Sequence, residues 1–136
     1  MIKKTISYVD YDGVERKEDF YFNLTKAEVM EMELTFEGGL GKYLQKIIDS
    51  KDAPQLITIF KDLILKAYGV KSNDGKSFNK VDSEGHKLGI AFSQTEAYSE
   101  LFTELAVNTE AASEFVNGIM PDMSSFTKTN AIEVSK

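Results

Sequence analysis

The 136-residue chain has no cysteine and no tryptophan, only two prolines, one histidine (His86) and one arginine (Arg16). The lack of cysteine excludes a disulfide framework, a thiolate zinc site, an iron–sulfur cluster and a cysteine nucleophile. No run approaches the ~18 apolar residues of a membrane span, and the alternating stretch Met1–Asp10 lacks the continuous apolar centre of a signal peptide. The expectation is a soluble, intracellular protein. Sixteen basic residues against 22 acidic ones give a net charge of −6 and a pI near 4.8. Such a balance repels phosphate backbones, and a basic set that is nearly all lysine suits base readout poorly. Neither nucleic acid nor membrane is therefore expected as a partner. The length corresponds to one domain, able to bury roughly two-thirds of the surface its unfolded chain exposes.

Ile2–Tyr11 and Val14–Phe22 are rich in β-branched and aromatic residues and flank Asp12-Gly13, the pair that fits a type I′ turn. This predicts an antiparallel β-hairpin over 2–22. A two-residue loop would set Asp10 opposite Glu15, an unfavourable facing of like charges, so a bulge or longer loop stays open. Phe20, Tyr21 and Phe22 run consecutively, which suggests cover on both faces of the second strand.

Helical signals then fill 26–118. Thr25 and Glu28 form a capping-box pattern for a helix to about Thr35, stopped by Gly38-Gly39. Leu40, Tyr43, Leu44, Ile47 and Ile48 make a second amphipathic stripe. Asp52 and Pro54 open a third, with Leu56, Ile57, Ile59, Phe60, Leu63, Ile64 and Ala67 on one side and Gly69 as terminator. The polar span 70–86 reads as a long loop or a weak second hairpin around Phe78 and Val81. Helical pattern resumes near Lys87. Ser93 with Glu96 repeats the capping box before Tyr98, Leu101, Phe102, Leu105 and Ala106, and Thr109 caps a last helix over Glu110–Asn117 that Gly118 and Pro121 end. The Ser/Thr-rich stretch 122–136 reads as a disordered tail. The predicted fold is α+β, mainly α: an N-terminal β-hairpin packed on a bundle of five or six helices in one domain, 1–121. Its expected core is Phe60, Leu63, Ile64, Leu101, Phe102, Leu105 and Phe115.

Signals for chemistry are weak. His86 sits in the polar loop beside Asp82 and Glu84 and reads as solvated, and no Gly-x-Ser-x-Gly elbow accompanies it. Gly75-Lys76-Ser77 ends like a phosphate loop, but the upstream Gly69 is one residue too far and follows a helix. Gly38-Gly39-Leu40-Gly41 lacks the third glycine of a dinucleotide fingerprint. Asp10 and Asp12 suit a hairpin turn better than a calcium loop. The pairs Glu100/Glu104 and Glu110/Glu114 have the i,i+4 spacing of a solvated helix face. No catalytic residue, metal site or cofactor is expected, and the chain reads as a non-enzyme. Nine phenylalanines and six tyrosines furnish a core first, and any left exposed would mark a protein interface. The candidate partner contacts are Phe20, Phe22, Phe36, Phe92, Met120 and Phe126.

Three stretches carry a family likeness: Asp10-Tyr11-Asp12-Gly13 through Phe20-Tyr21-Phe22-Asn23-Leu24-Thr25-Lys26-Ala27-Glu28, then Ile59-Phe60-Lys61-Asp62-Leu63-Ile64-Leu65-Lys66-Ala67-Tyr68-Gly69, and Phe92-Ser93-Gln94-Thr95-Glu96-Ala97-Tyr98 into Phe115-Val116-Asn117-Gly118-Ile119-Met120-Pro121. Over about 1–121 the chain resembles the tail assembly chaperones of siphophages and related prophages. The resemblance implies a protein that binds the tape measure protein, recruits tail tube subunits, works in the host cytoplasm and is absent from the mature virion. It also implies that a longer product can arise by programmed frameshifting. Self-association along the client, giving a homo-oligomer, is a companion expectation. The competing readings are an acidic, DNA-mimicking inhibitor of a host protein, disfavoured because Lys61, Lys66 and Lys71 interrupt the acids, and a minor structural tail protein.

Overall fold

A computed structural model describes residues 1–35, 38, 39, 42, 49 and 53–121. The N-terminal hairpin consists of β1 (Ile2–Val9) and β2 (Glu15–Phe22), paired from Ile2 with Phe22 to Val9 with Glu15. That register replaces the two-residue turn by the longer option: Asp10 faces Val14, and Tyr11, Asp12 and Gly13 form the loop. Asp10 N–H donates to Val14 O at 2.9 Å, and Gly13 N–H to Asp10 O at 3.0 Å. Gly13 lies at φ +78°, the left-handed position that a three-residue hairpin loop requires. The longer loop keeps Asp10 away from Glu15 and turns its carboxylate over the turn. There it accepts from the N–H groups of Asp12 and Val14 at 2.9 and 3.0 Å and from Arg16 Nε at 2.5 Å. The chain uses the same device again. Asp82 N–H donates to His86 O, Asp82 Oδ1 accepts from the N–H groups of Glu84 and His86, and Gly85 takes φ +85°. His86 is exposed, with Nδ1 3.2 Å from Asp82 Oδ2.

Helix α1 (Lys26–Thr35) starts with the expected capping box: Thr25 N–H donates to Glu28 Oε1 at 2.9 Å and Glu28 N–H to Thr25 Oγ1 at 3.1 Å. The expected helix through Leu40–Ile48, its neighbour's cap Asp52 and the tail 122–136 lie outside the described residues. Helix α2 (Ala53–Ala67) runs directly into a strand, β3 (Tyr68–Lys71). Gly69 therefore does not end the helix. It lies buried in β3, where an added Cβ would sit 2.6 Å from the Phe78 ring and 2.7 Å from Asn79 O. The span 70–86 adopts the hairpin option, with β4 (Phe78–Asn79) antiparallel to β3. Because Phe22 pairs with Tyr68 and Tyr21 with Gly69, the two hairpins join into one antiparallel sheet ordered β1-β2-β3-β4. No sequence pattern announced that joint, which uses only two residue pairs.

Three further helices follow: α3 (Leu88–Ser93), α4 (Glu96–Val107) and α5 (Thr109–Ile119). Both predicted caps shift by one or two residues. Ser93 belongs to α3, with its hydroxyl bonded to Ile90 O at 2.6 Å, and Thr95 caps α4 by accepting from Tyr98 N–H at 3.2 Å. Asn108, not Thr109, caps α5, accepting from Ala111 N–H at 3.1 Å. Gly118 stays helical and lets α5 approach Ile2, to whose Cδ1 an added Cβ would come within 2.8 Å. Helix α4 packs along β1, tied there by Lys4 Nζ to Glu104 Oε1 at 3.4 Å. Among the described residues there are five helices and four strands, an α+β fold, and no helix is long and apolar enough to cross a membrane.

One apolar cluster joins the layers. Five of the seven expected core residues, Leu63, Ile64, Leu101, Leu105 and Phe115, are buried, whereas Phe60 and Phe102 are half-buried against its rim. The sheet supplies what the helix stripes did not reveal: Ile6, Phe22 and the post-strand Leu24 are buried too. On the other face of β1 and β2, Lys3, Thr5, Ser7, Lys17 and Asp19 are exposed, so the double cover expected from the consecutive aromatics is confined to the strand's end.

Phe115→Ala should destabilise the fold by about 3–5 kcal/mol, read from denaturant midpoints, because the ring is 1% exposed and its loss leaves a cavity. Gly89→Ala should also destabilise, although alanine is the better helix former by about 1 kcal/mol. Its Cβ would lie 2.2 Å from Leu65 O on α2, and backbone overpacking costs about 1–3 kcal/mol. A pH series tests the turn. The Arg16 guanidinium first, and the Val14 N–H next, hold the Asp10 carboxyl below its ordinary 3.8. The unfolded chain thus takes up that proton first, so this stabilisation is present above the unfolded value and is lost as pH falls through the folded one. Thermal melts from pH 6 down to about 2 should show a smaller acid-induced drop for Asp10→Asn than for the wild type.

Candidate functional site

The lysine at position 80 holds together three segments distant in sequence. It follows β4, and its own carbonyl accepts from Leu88 N–H at the start of α3 at 2.9 Å. Its half-buried ammonium donates to Asn23 O at 2.8 Å, to Lys66 O at 2.5 Å, and to Glu28 Oε2 at 3.1 Å. Asn23 lies between β2 and α1, Lys66 is in the last turn of α2, and Glu28 is the capping-box acid of α1. One cation thereby satisfies carbonyls at a strand end and a helix C-terminus, where positive charge is favoured. Burial lowers the Lys80 pKa, opposed by the nearby Glu28 carboxylate. The Phe78 ring lies beneath the ammonium, 5.5 Å away.

This junction forms one end of an open groove of about 570 Å³ between α1, α2 and the β4–α3 segment. Its walls are mainly aliphatic, from Met32, Ile59, Leu63, Leu65, Val81 and Ile90, with the Tyr68 ring beside them. Met32 and Leu63 form a floor that is 6% exposed, while Val81 and Ile90 on the lip are 49% and 56% exposed. The charged rim comprises Glu28, Asp62, Lys66, Lys80 and Lys87. Its size is that of an ordinary binding site, but its chemistry is that of a contact surface. Among the described residues, no group of three or more His, Asp or Glu side chains could hold a metal ion. Asp82, beside His86, has its carboxyl held below the usual range by the His86 and Glu84 N–H groups that close its turn.

The aromatic candidates fall mostly elsewhere. Phe22 and Phe92 are core residues, 0% and 3% exposed, and their rings present no surface. Phe20 is half-buried among Tyr8, Tyr68 and Phe92. Met120 is half-buried against the core. Phe36 and Phe126 lie outside the described residues. None of the described four lines the groove. The search for exposed aromatics missed a surface built from aliphatic side chains. Its sequence signals were Ile59 and Leu63 at i,i+4, Val81 isolated between Lys80 and Asp82, and Ile90 within the apolar run Leu88–Phe92.

The profile of one known family, described as phage tail assembly chaperone, matches residues 1–134. The chain belongs to that family. No curated protein and no solved structure matches it. An open aliphatic groove suits a tail assembly chaperone, since surface that holds another polypeptide must stay uncovered in the free protein.

Lys80→Met should destabilise this chaperone by about 1–3 kcal/mol, because it strands the Asn23 and Lys66 carbonyls and the Glu28 carboxylate without their donor. Glu28→Gln should cost less, since the amide oxygen still accepts from Thr25 N–H. Equal losses in chemical denaturation for the two variants would remove Lys80 from this role.

Proposed function

We propose that this tail assembly chaperone binds the tape measure protein through the groove between α1, α2 and the β4–α3 segment. The bound client is kept soluble until tube subunits, recruited by the chaperone, polymerise around it. The chaperone works in the host cytoplasm, catalyses no reaction, and leaves before the virion is complete. The observation that carries this reading is the aliphatic lip: Val81 and Ile90 are half-exposed above a buried floor, and covering them recovers hydrophobic free energy at about 25 cal/mol per Å². The net charge of −6 keeps the loaded complex soluble.

Co-expression with tape measure fragments, followed by affinity capture, tests the proposal. Wild-type chaperone should retain at least one fragment, and Ile90→Asp, at an exposed position, should lose most of it while melting normally. Folded wild-type protein that captures no segment of the tape measure would refute the proposal.

A further inference from the structure

The groove's rim carries the sign opposite to that of the whole chain. Three lysines (Lys66, Lys80, Lys87) stand there against two acids (Glu28, Asp62), in a protein of net charge −6. Lys80 and Glu28 are committed to each other at 3.1 Å. The working balance is then Lys66 and Lys87 against Asp62. Both lysines are exposed, and neither makes an ion pair among the described residues. They stand on different walls, Lys66 in the last turn of α2 and Lys87 at the N-cap of α3.

The walls also restrict the backbone of an occupant. Two walls are helices, and the third is closed by its own bridge between Val81 and Lys87. An extended segment laid against aliphatic side chains would bury its N–H and C=O groups without partners, at about 1–3 kcal/mol each. A helix satisfies those groups internally and presents side chains at i, i+3, i+4 and i+7 to such a groove.

We infer that the occupant is an amphipathic helix of another protein whose apolar stripe is flanked by carboxylates, and that Lys66 and Lys87 select it by pairing with them. This rests on the groove being the client site and adds the chemistry by which a client segment is chosen. Pairing of this kind acts on partner choice and on the rate of encounter more than on total affinity, and salt screens it.

Two synthetic peptides of about 18 residues test the inference. They share one leucine stripe and one photoreactive stripe residue, with flanking positions either glutamate or lysine. Against full-length protein in fluorescence anisotropy, the glutamate peptide should bind roughly two- to tenfold tighter at low salt, and the margin should shrink at high salt. The double variant K66E/K87E should reverse the preference while melting like the wild type. Cross-links should fall on Met32, Ile59 or Ile90. Equal binding of the peptides, an unchanged preference in the double variant, or cross-links away from the groove would overturn the inference. So would a groove already filled by a second copy, seen as dissociation of a wild-type dimer by Ile90→Asp in sedimentation. Tape measure capture without peptide discrimination would remove this selection and leave the client reading standing; loss of capture itself would remove the client reading.

Discussion

The fold depends on the enclosure of the Phe22 ring at the end of β2. It meets Phe92 of α3 at 5.6 Å and Phe115 of α5 at 5.2 Å, both edge-on, and Tyr68 of β3 at 5.7 Å. Tyr68 in turn stacks on Phe92, with centroids 4.4 Å apart and planes 7° from parallel. Four rings from four elements thus share one contact. Burying a phenylalanine is worth about 1.5–3 kcal/mol, and such ring pairs add about 0.5–1.5 kcal/mol each. A two-stranded hairpin is marginal in water by itself. Here its end is locked to two helices and to a third strand at once.

The lock has a functional consequence at its edge. Tyr68, a member of the ring cluster, also lines the groove, so the groove is built directly on the packed core. Lys80 closes the same junction from the polar side, joining the carbonyls of Asn23 and Lys66 to the α1 cap. The groove is therefore held by core packing below and by a hydrogen-bonded cation at its end. A binding surface on ordered elements loses less conformational entropy when it is covered than one on loose loops.

Much of the local structure was legible because it is decided by neighbours in sequence. The hairpin followed from β-branched and aromatic runs around Asp12-Gly13, and α1 from the reciprocal pair Thr25 and Glu28. The errors came where two local signals competed. Ser93 and Thr95 are both good caps before Glu96, and packing of Phe92 into the core kept Ser93 in α3. Asn108 and Thr109 competed in the same way. Gly69 read as a helix stop, yet its use is to let β3 approach Phe78. Of the residues chosen as partner contacts, Phe22 and Phe92 are buried, because the sheet needed a core layer and these two rings supply it.

By itself the sequence determined the hairpin, the helix stripes of the described residues, the absence of thiol chemistry, the acidity and the family, all set by composition, short-range order or family-wide pattern. Only the tertiary structure decided that the two hairpins share one sheet, that Lys80 gathers Asn23, Lys66 and Glu28, and that aliphatic residues from three segments open into a groove. Those outcomes depend on contacts between residues tens of positions apart. The free energy of such contacts comes from shape and burial in three dimensions, which no window along the chain contains.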